Sequence, residues 1–526
     1  MTRPDATDPS GTRRRAAAMC AVSACLLMAA AHWPRPVDGA HVLAVQTVPA
    51  KSHWYFMRGV LRALADRGHR VTVYTPFPDR AAAAHGNYTE VDTLSEYGDQ
   101  VIVGMDLTTV ATLARPLFMV PFMGKTSRFI CDIMDGLRLS DAGPYDVFIA
   151  EPASCECVSV AARRLGVPLV YTVPAPLQPW VETAAFGHHV NPAYVPHVLS
   201  AYSVLDTFYR RLHNVGLHVC TVYLHHLYVT VAAAVQPKHY DLEPPVKPSL
   251  VFVNTHYATE PSRPVPVNRV DVAGIHLKRP KPLPKDILEF IEGAPHGVIL
   301  FTFGTVVAIS TLPDHIQKAF KDALAEVPQR ILLKHEGEMT DKPENVMTRK
   351  WLPQRDILVH PNVKLFICHG GISGVYETVD AGVPVLGFPL FYDQPRNIAN
   401  LVDAGMAISL DLMSVDKDTL LNAINTIIND ETYSRNAKIT SERFKDRPMS
   451  PAESVVYWTE YVIRHKGAPH LKSQAFNLTW YQYYLLDVFA AVLSTVFIAL
   501  YVIYKMSKCF YRCVFKPSPK PKSKRE

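Results

Sequence analysis

Two neighbouring stretches, WLPQ at 351–354 and CHGGISGVYETVDAGVPVLGFPLFYDQPRNIANLVDAG at 368–405, decide how this chain folds. Residues 364–368 are a short apolar run of the kind that forms a buried parallel strand. The run ends in His369-Gly370-Gly371, and a helical pattern follows to Ala381, with Gly382 as its stop. Residues 383–388 read as a second strand, and Asp393-Gln394-Pro395 opens another helix with proline where a helix tolerates it. Polar residues collect at the strand ends and helix starts, where open α/β sheets bind ligands.

Each of these residue types has a task in such a setting. Two glycines let backbone N–H groups approach a diphosphate, and a helix N-terminus adds partial positive charge. His369 can donate to a phosphate oxygen. Ser373 and Glu377 are four apart, hence on one helix face, and a carboxylate there suits a ribose diol. Trp351 offers a flat ring for a base, with Gln354 one turn away to read its edge. Asp393 and Gln394 can accept from and donate to sugar hydroxyls. Singly, a Gly-Gly is a tight turn and a tryptophan is core; the ordered set points to a nucleotide-sugar pocket.

The set resembles the donor-site signature of the UDP-glycosyltransferase family, of the UDP-glucuronosyltransferase and insect UDP-glucosyltransferase type. These are membrane-bound enzymes that glucuronidate or glucosylate small lipophilic molecules. The resemblance implies that Trp351 and Gln354 hold uracil, that His369, Ser373 and Gly374 face the diphosphate, and that Glu377 binds ribose. It implies that Asp393 and Gln394 bind the sugar with Asn397 close by. Phe303-Gly304-Thr305 is similar to the family's FGS turn at the phosphates. The implied architecture is α/β, with two facing Rossmann-like domains (the GT-B arrangement) and a single C-terminal transmembrane helix.

The 526 residues suffice for two or three domains with ample core. Arg13-Arg14-Arg15, an apolar run over 16–31 and small residues at Gly39-Ala40 follow the grammar of a signal peptide cleaved before His41. Residues 488–504 are uncharged and apolar, extendable back to 483, and basic residues follow. The positive-inside rule then puts the tail in the cytosol and the rest in the lumen. Lysines third and fifth from the end (Lys524, Lys522) fit a dilysine retrieval pattern, so the expected location is the endoplasmic reticulum membrane, single-pass type I. The net charge of +6 owes much to this tail and makes no case for nucleic acid. Asn87-Tyr88-Thr89 and Asn477-Leu478-Thr479 are glycosylation sequons, the second very near the membrane. Five cysteines (Cys131, Cys155, Cys157, Cys220, Cys368) fall in the luminal part without metal spacing, and their odd number leaves at least one unpaired internally.

Strands are expected at 41–48, 70–75, 145–150 and 167–172, with helices at 52–67 and 157–165. Regions 105–135 and 192–234 are aromatic and mostly helical in pattern; in the family they form the acceptor pocket and border the membrane. Proline is dense from 244 to 284, which reads as a linker. The boundaries are therefore 1–40 leader, 41–275 acceptor domain, 276–445 UDP-sugar domain, 446–482 return helix and juxtamembrane segment, 483–504 membrane helix and 505–526 tail.

UDP is a good leaving group, so the chemistry asks for a base that deprotonates the acceptor hydroxyl. His53, just after the first strand, matches the position of the family's catalytic histidine, and histidine suits base work near neutral pH. The family pairs it with an acid, usually Asp; here the matching position is Glu151, one methylene longer, with Asp146 a weaker alternative read as a strand-start residue. In-line attack on an α-linked donor gives a β-glycoside by inversion. No metal is expected, and Asp416-Lys417-Asp418 reads as a helix cap. UDP-glucose is the favoured donor; UDP-glucuronate, or a silent UDP-sugar-binding protein, is the alternative. The expected partners are UDP-sugar, a small lipophilic acceptor and membrane lipid, with homo-oligomerisation left open.

Overall fold

His41–Val45 (β1) is buried from end to end, as an apolar run must be when helices cover both faces of its sheet. In the computed structural model, which describes residues 39–515 apart from 80–85, 99–101, 103–104, 138, 140–142, 153–155, 244, 306 and 338, β1 is central to the front sheet. The predicted leader and the lysines at 522 and 524 lie outside the described residues.

After β1 come α1 (Lys51–Asp66), β2 (Arg70–Thr75), β3 (Tyr88–Asp92) and α2 (Pro116–Gly136). Then follow β4 (Val147–Ala150), α3 (Glu156–Leu165), β5 (Leu169–Val173), α4 (Pro179–Phe186), α5 (Phe208–Val235), β6 (Leu250–Val253) and β7 (Arg269–Asp271). All seven strands are parallel, in the order β3-β2-β1-β4-β5-β6-β7. β6 and β7 fall inside the proline-dense stretch read as a linker. The reading fails there because Leu250–Val253 is only four residues long and its neighbouring prolines mask it, although all four residues are buried. The crossing to the second half comes after β7.

The rear sheet holds β8 (Val298–Thr302), β9 (Arg330–Lys334) and β10 (Val346–Arg349), then α6 (Gln354–Leu358), β11 (Val363–Cys368) and α7 (Ile372–Ala381). β12 (Val385–Gly387), α8 (Gln394–Asp403) and β13 (Ala407–Ser409) complete it. Its order is β10-β9-β8-β11-β12-β13, again all parallel. Gly382 ends α7 with φ of 70°, the left-handed conformation of a helix C-cap. Asp416 caps the helix Lys417–Asn429 by accepting from the Thr419 N–H at 2.8 Å, the role expected of it.

α9 (Pro451–Arg464) opens with a capping box between Ser450 and Glu453. It returns to the front half, where Val455 and Val462 share a core with Val42, Trp54, Val60 and Leu64. α10 (Leu486–Phe515) is wholly exposed and apolar, and at 30 residues is about 45 Å long. It runs past the predicted end at Tyr504 because nothing in 505–515 breaks a helix; Pro517 is the first residue that would. α5 is a second helix long and apolar enough to cross a membrane, so one membrane helix is not the sole reading.

In each sheet the chain order reverses between two adjacent central strands, β1 and β4 in front, β8 and β11 behind. Open sheets part at such switch points, where neighbouring crossovers leave to opposite faces. Both switch points open into one cavity.

Candidate active site

The cavity has a volume of about 530 Å³, with walls from both halves. The front contributes His53, Tyr55 and Pro174; the rear contributes Gly304, Trp351, His369, Glu377 and Asp393, among others.

His53 stands in the first turn of α1, above the end of β1. Its position depends on the bend at 46–50, which Gln46 holds. The Gln46 amide donates to Val48 O and Ala50 O at 2.9 and 3.1 Å, and its carbonyl accepts from the Thr75 hydroxyl at 2.6 Å. Glu151 follows β4 directly. The two strands are neighbours, so both side chains emerge at one switch point, and His53 Nδ1 lies 2.7 Å from Glu151 Oε1. The extra methylene of Glu is absorbed without losing contact. Burial opposes a charge on His53, but the charge and hydrogen bond of Glu151, with Asp393 farther off, outweigh it and raise the imidazole above its ordinary value. Asp146 instead accepts from the His41 N–H at 2.7 Å, a strand-start role, as expected.

On the rear side, His369 ends β11. A Cβ on Gly371 would lie 2.6 Å from His369 Nε2, and one on Gly304, whose φ is 69°, 2.8 Å from its Cε1. These glycines therefore make room for the imidazole as well as for any ligand. Burial, then the charge of Lys334, push His369 down to about 4, so its ring is neutral. A neutral ring can still donate a hydrogen bond to a phosphate oxygen. Lys334, which pairs with Glu336, and the N-terminus of α7 also border the cavity. His369 Nδ1 has no hydrogen-bond partner among the described residues.

Ser373 and Gly374 occupy the first turn of α7, and His276 reaches over from the crossing segment to the Ser373 carbonyl at 3.2 Å. Thr305 follows Gly304 along the wall. Trp351 is 58% exposed at the rim. Gln354 donates to Glu377 Oε2 at 2.6 Å, so the residues expected at base and ribose are already joined. Burial pushes Glu377 up to about 7 against that bond, and pushes Asp393 up to about 6.

Asp393 and Gln394 line the cavity, but part of each is committed to structure. Gln394 Oε1 accepts from Leu390 N and Phe391 N at 3.0 and 3.3 Å, leaving its amide nitrogen for a ligand. Asn397, expected close by, does not line the cavity. It lies one helical turn behind, and its Nδ2 donates to Gly370 O and Asp393 Oδ2, both at 2.9 Å. It orients Asp393 instead.

Asn87 donates its side-chain nitrogen to Ala65 O and His69 O at 2.7 and 3.1 Å, and a glycan there would displace one of these bonds. Asn477 is exposed and donates to Gln474. Cys131 and Cys157 form a disulfide tying α2 to α3, while Cys220 and Cys368 are free and Cys155 lies outside the described residues. Cys368 is a buried strand residue whose thiol burial pushes up to about 12. Among the described residues no group of three or more His, Cys, Asp and Glu side chains could hold a metal.

Sequence reasoning missed Gln178, Tyr392, Glu260 and Arg396, which join the two halves. The Gln178 amide of the front half donates to the Tyr392 hydroxyl of the rear half, and Arg396 of α8 pairs with Glu260 of the front half.

The family described as "UDP-glucoronosyl and UDP-glucosyl transferase" matches residues 123–520. The chain belongs to that family. This UDP-sugar glycosyltransferase is 38% identical to "UDP-glucosyltransferase 2" of Dactylopius coccus over 93% of its own length and 96% of the relative's. It is 32% identical to "UDP-glucuronosyltransferase 2A2" of Mus musculus, covering 90% and 94% of the two chains. Among solved structures, "Spinosyn Rhamnosyltransferase SpnG" superposes with a TM-score of 0.55 at 18% identity, over 80% of this chain and 99% of that one. The transferase therefore has the GT-B fold.

Proposed function

We propose that this transferase moves glucose from UDP-glucose to a hydroxyl of small lipophilic acceptors, with His53 as general base. The observation that carries the reading is the His53–Glu151 pair at the front switch point, facing Asp393 and Gln394 across the cavity. Glu151 occupies Nδ1 and holds the tautomer, which leaves Nε2 to take the acceptor proton. As the acceptor oxygen attacks the anomeric carbon, the bond to UDP breaks and its electron pair leaves with the diphosphate. Attack opposite an α-linked leaving group gives the β-glycoside. Trp351 and Gln354 hold uracil, Glu377 the ribose, and Gly304, Thr305, His369, Ser373 and Gly374 the diphosphate; the reaction needs no metal.

Electrostatics favour a neutral sugar. The carboxylates that act on His53 are those of Glu151 and Asp393. Arg396, the cation near Asp393, is taken by Glu260. A uronate carboxylate beside Asp393 would face like charge, which disfavours UDP-glucuronate; of the described cations that line the cavity, Lys334 pairs with Glu336 and Arg355 with Asp380, leaving Lys278. The exposed apolar side of α5 (Leu212, Val219, Tyr223, Leu227) suits lipid contact, from which lipophilic acceptors would come. We read α10 as spanning the bilayer and the enzyme as a luminal type I protein of the endoplasmic reticulum, a reading supported by the length and apolar character of that helix.

Competing UDP-glucose against UDP-glucuronate for one phenol, with His53→Ala alongside, tests this. Glucoside formation with the β anomer, lost in the variant, is the expected result. Preferential glucuronide overturns the donor assignment, and tight UDP binding without turnover favours a silent binder.

A further inference from the structure

The helix that presents Asp393 and Gln394 belongs to the rear sheet, yet the front half grips it along its length. At its start the Gln178 amide donates to the Tyr392 hydroxyl. In its middle Arg396 pairs with Glu260, and Asn400 Nδ2 donates to the same carboxylate at 3.3 Å. At its end Asp403 accepts from the Ser203 hydroxyl. Of these three ties, only the first includes a residue that lines the cavity, Tyr392.

Tyr392 is also in an unusual backbone state. Its φ is 59°, a left-handed conformation that bulky side chains avoid and glycine adopts freely. Strained residues of this kind collect at functional sites, where the surroundings hold them. Here the holding groups are visible: Gln394 Oε1 takes the N–H groups of Leu390 and Phe391 just before Tyr392, and Gln178 takes its hydroxyl. The turn thus aims a phenol across the cleft from a position where a smaller residue would be relaxed.

We infer that Tyr392 and Gln178 form a latch that sets the distance between His53 and the bound sugar and shuts that end of the cavity against water. They are positioning residues, and the inference rests on the donor placement proposed above. With the latch open, water competes for the anomeric carbon: its oxygen bonds to that carbon, the bond to UDP breaks with its electron pair, and His53 Nε2 takes one water proton. The products are free hexose and UDP.

Tyr392→Phe removes only the hydroxyl, and Gln178→Leu only the amide. Each is expected to lower transfer kcat roughly 10- to 100-fold, since an ångström of misplacement has effects of that order. UDP affinity should stay as in the wild type, while the ratio of UDP-glucose hydrolysis to transfer rises. The double variant should be no worse than either single one. Tyr392→Gly frees the backbone but removes a half-buried ring, so it should lose transfer at least as far as Tyr392→Phe does. Wild-type kcat and hydrolysis ratio in Tyr392→Phe, or additive losses in the double variant, overturn the latch. The donor placement is tested separately by UDP affinity in Glu377→Ala, which should fall whether or not the latch exists.

Discussion

His53 and Glu151, 98 residues apart in sequence, meet at 2.7 Å because β1 and β4 are neighbours at the point where the front sheet reverses its winding. The pairing follows from topology. Replacing Glu151 by Gln keeps the shape and a hydrogen bond but removes the charge that supports the imidazolium formed during transfer. We expect kcat/KM to fall about 100-fold or more, with Glu151→Asp in between because its carboxylate is drawn back by one methylene. Steady-state rates with UDP-glucose and a phenol check this, and unchanged rates in Glu151→Gln would remove Glu151 from the mechanism.

The pH profile follows from the same pair. His53 must be neutral to accept a proton, and Glu151 holds its ionisation above the ordinary 6.5. The acid limb of kcat/KM should therefore have its midpoint above 6.5 and move down in Glu151→Gln. For stability the sign is opposite. The pair's contribution is complete below pH 6.5 and is lost as pH rises through the folded-state value.

Glu377 titrates near 7 in the folded protein against an ordinary 4.5, so the folded state holds its proton longer than the unfolded chain. That group therefore lowers stability as pH rises from 4.5 to 7. Ribose hydroxyls donate to the ionised form, so UDP binding near pH 6.5 should release protons. Calorimetry in buffers of differing ionisation enthalpy measures the release, which Glu377→Gln should reduce; an unchanged value would mean the ribose bonds elsewhere.

Trp351, more than half exposed at the rim, has a face free for a base. Trp351→Ala should weaken UDP binding by about 1–3 kcal/mol, the usual worth of one base on an aromatic ring. Titration with UDP, compared with Trp351→Phe, which keeps a ring, reads the difference.

Glu260 and Arg396 are 13% and 6% exposed, a nearly dry ion pair between the halves. Glu260→Ala leaves a buried guanidinium without its partner, which costs about 3–5 kcal/mol. Pairing it with Arg396→Met should recover most of that. Chemical denaturation of the two variants checks both statements.

The rear wall of the cavity was legible because its residues are local: 351–354, 369–377 and 393–394 lie on consecutive crossovers of one sheet, and strand ends bring them to one edge. Asn397 was legible as a neighbour but not as a residue behind the wall, since period alone does not say which groups its amide meets. β6 and β7 were hidden in a proline-rich stretch, where short apolar runs lack the length to stand out. The neutral state of His369 depends on burial and on Lys334, which comes from a different strand.

Sequence by itself determined the two parallel α/β halves, the order of the residues along the rear wall of the cavity and the apolar helix at the C-terminal end, because strand and helix periods and helix stops are written in neighbouring residues. Tertiary structure decided which side chains meet across the halves: Gln178 with Tyr392 over 214 positions, and Glu260 with Arg396 over 136. Such contacts depend on how two sheets face each other, and polar pairs at long separation leave no periodic trace along the chain.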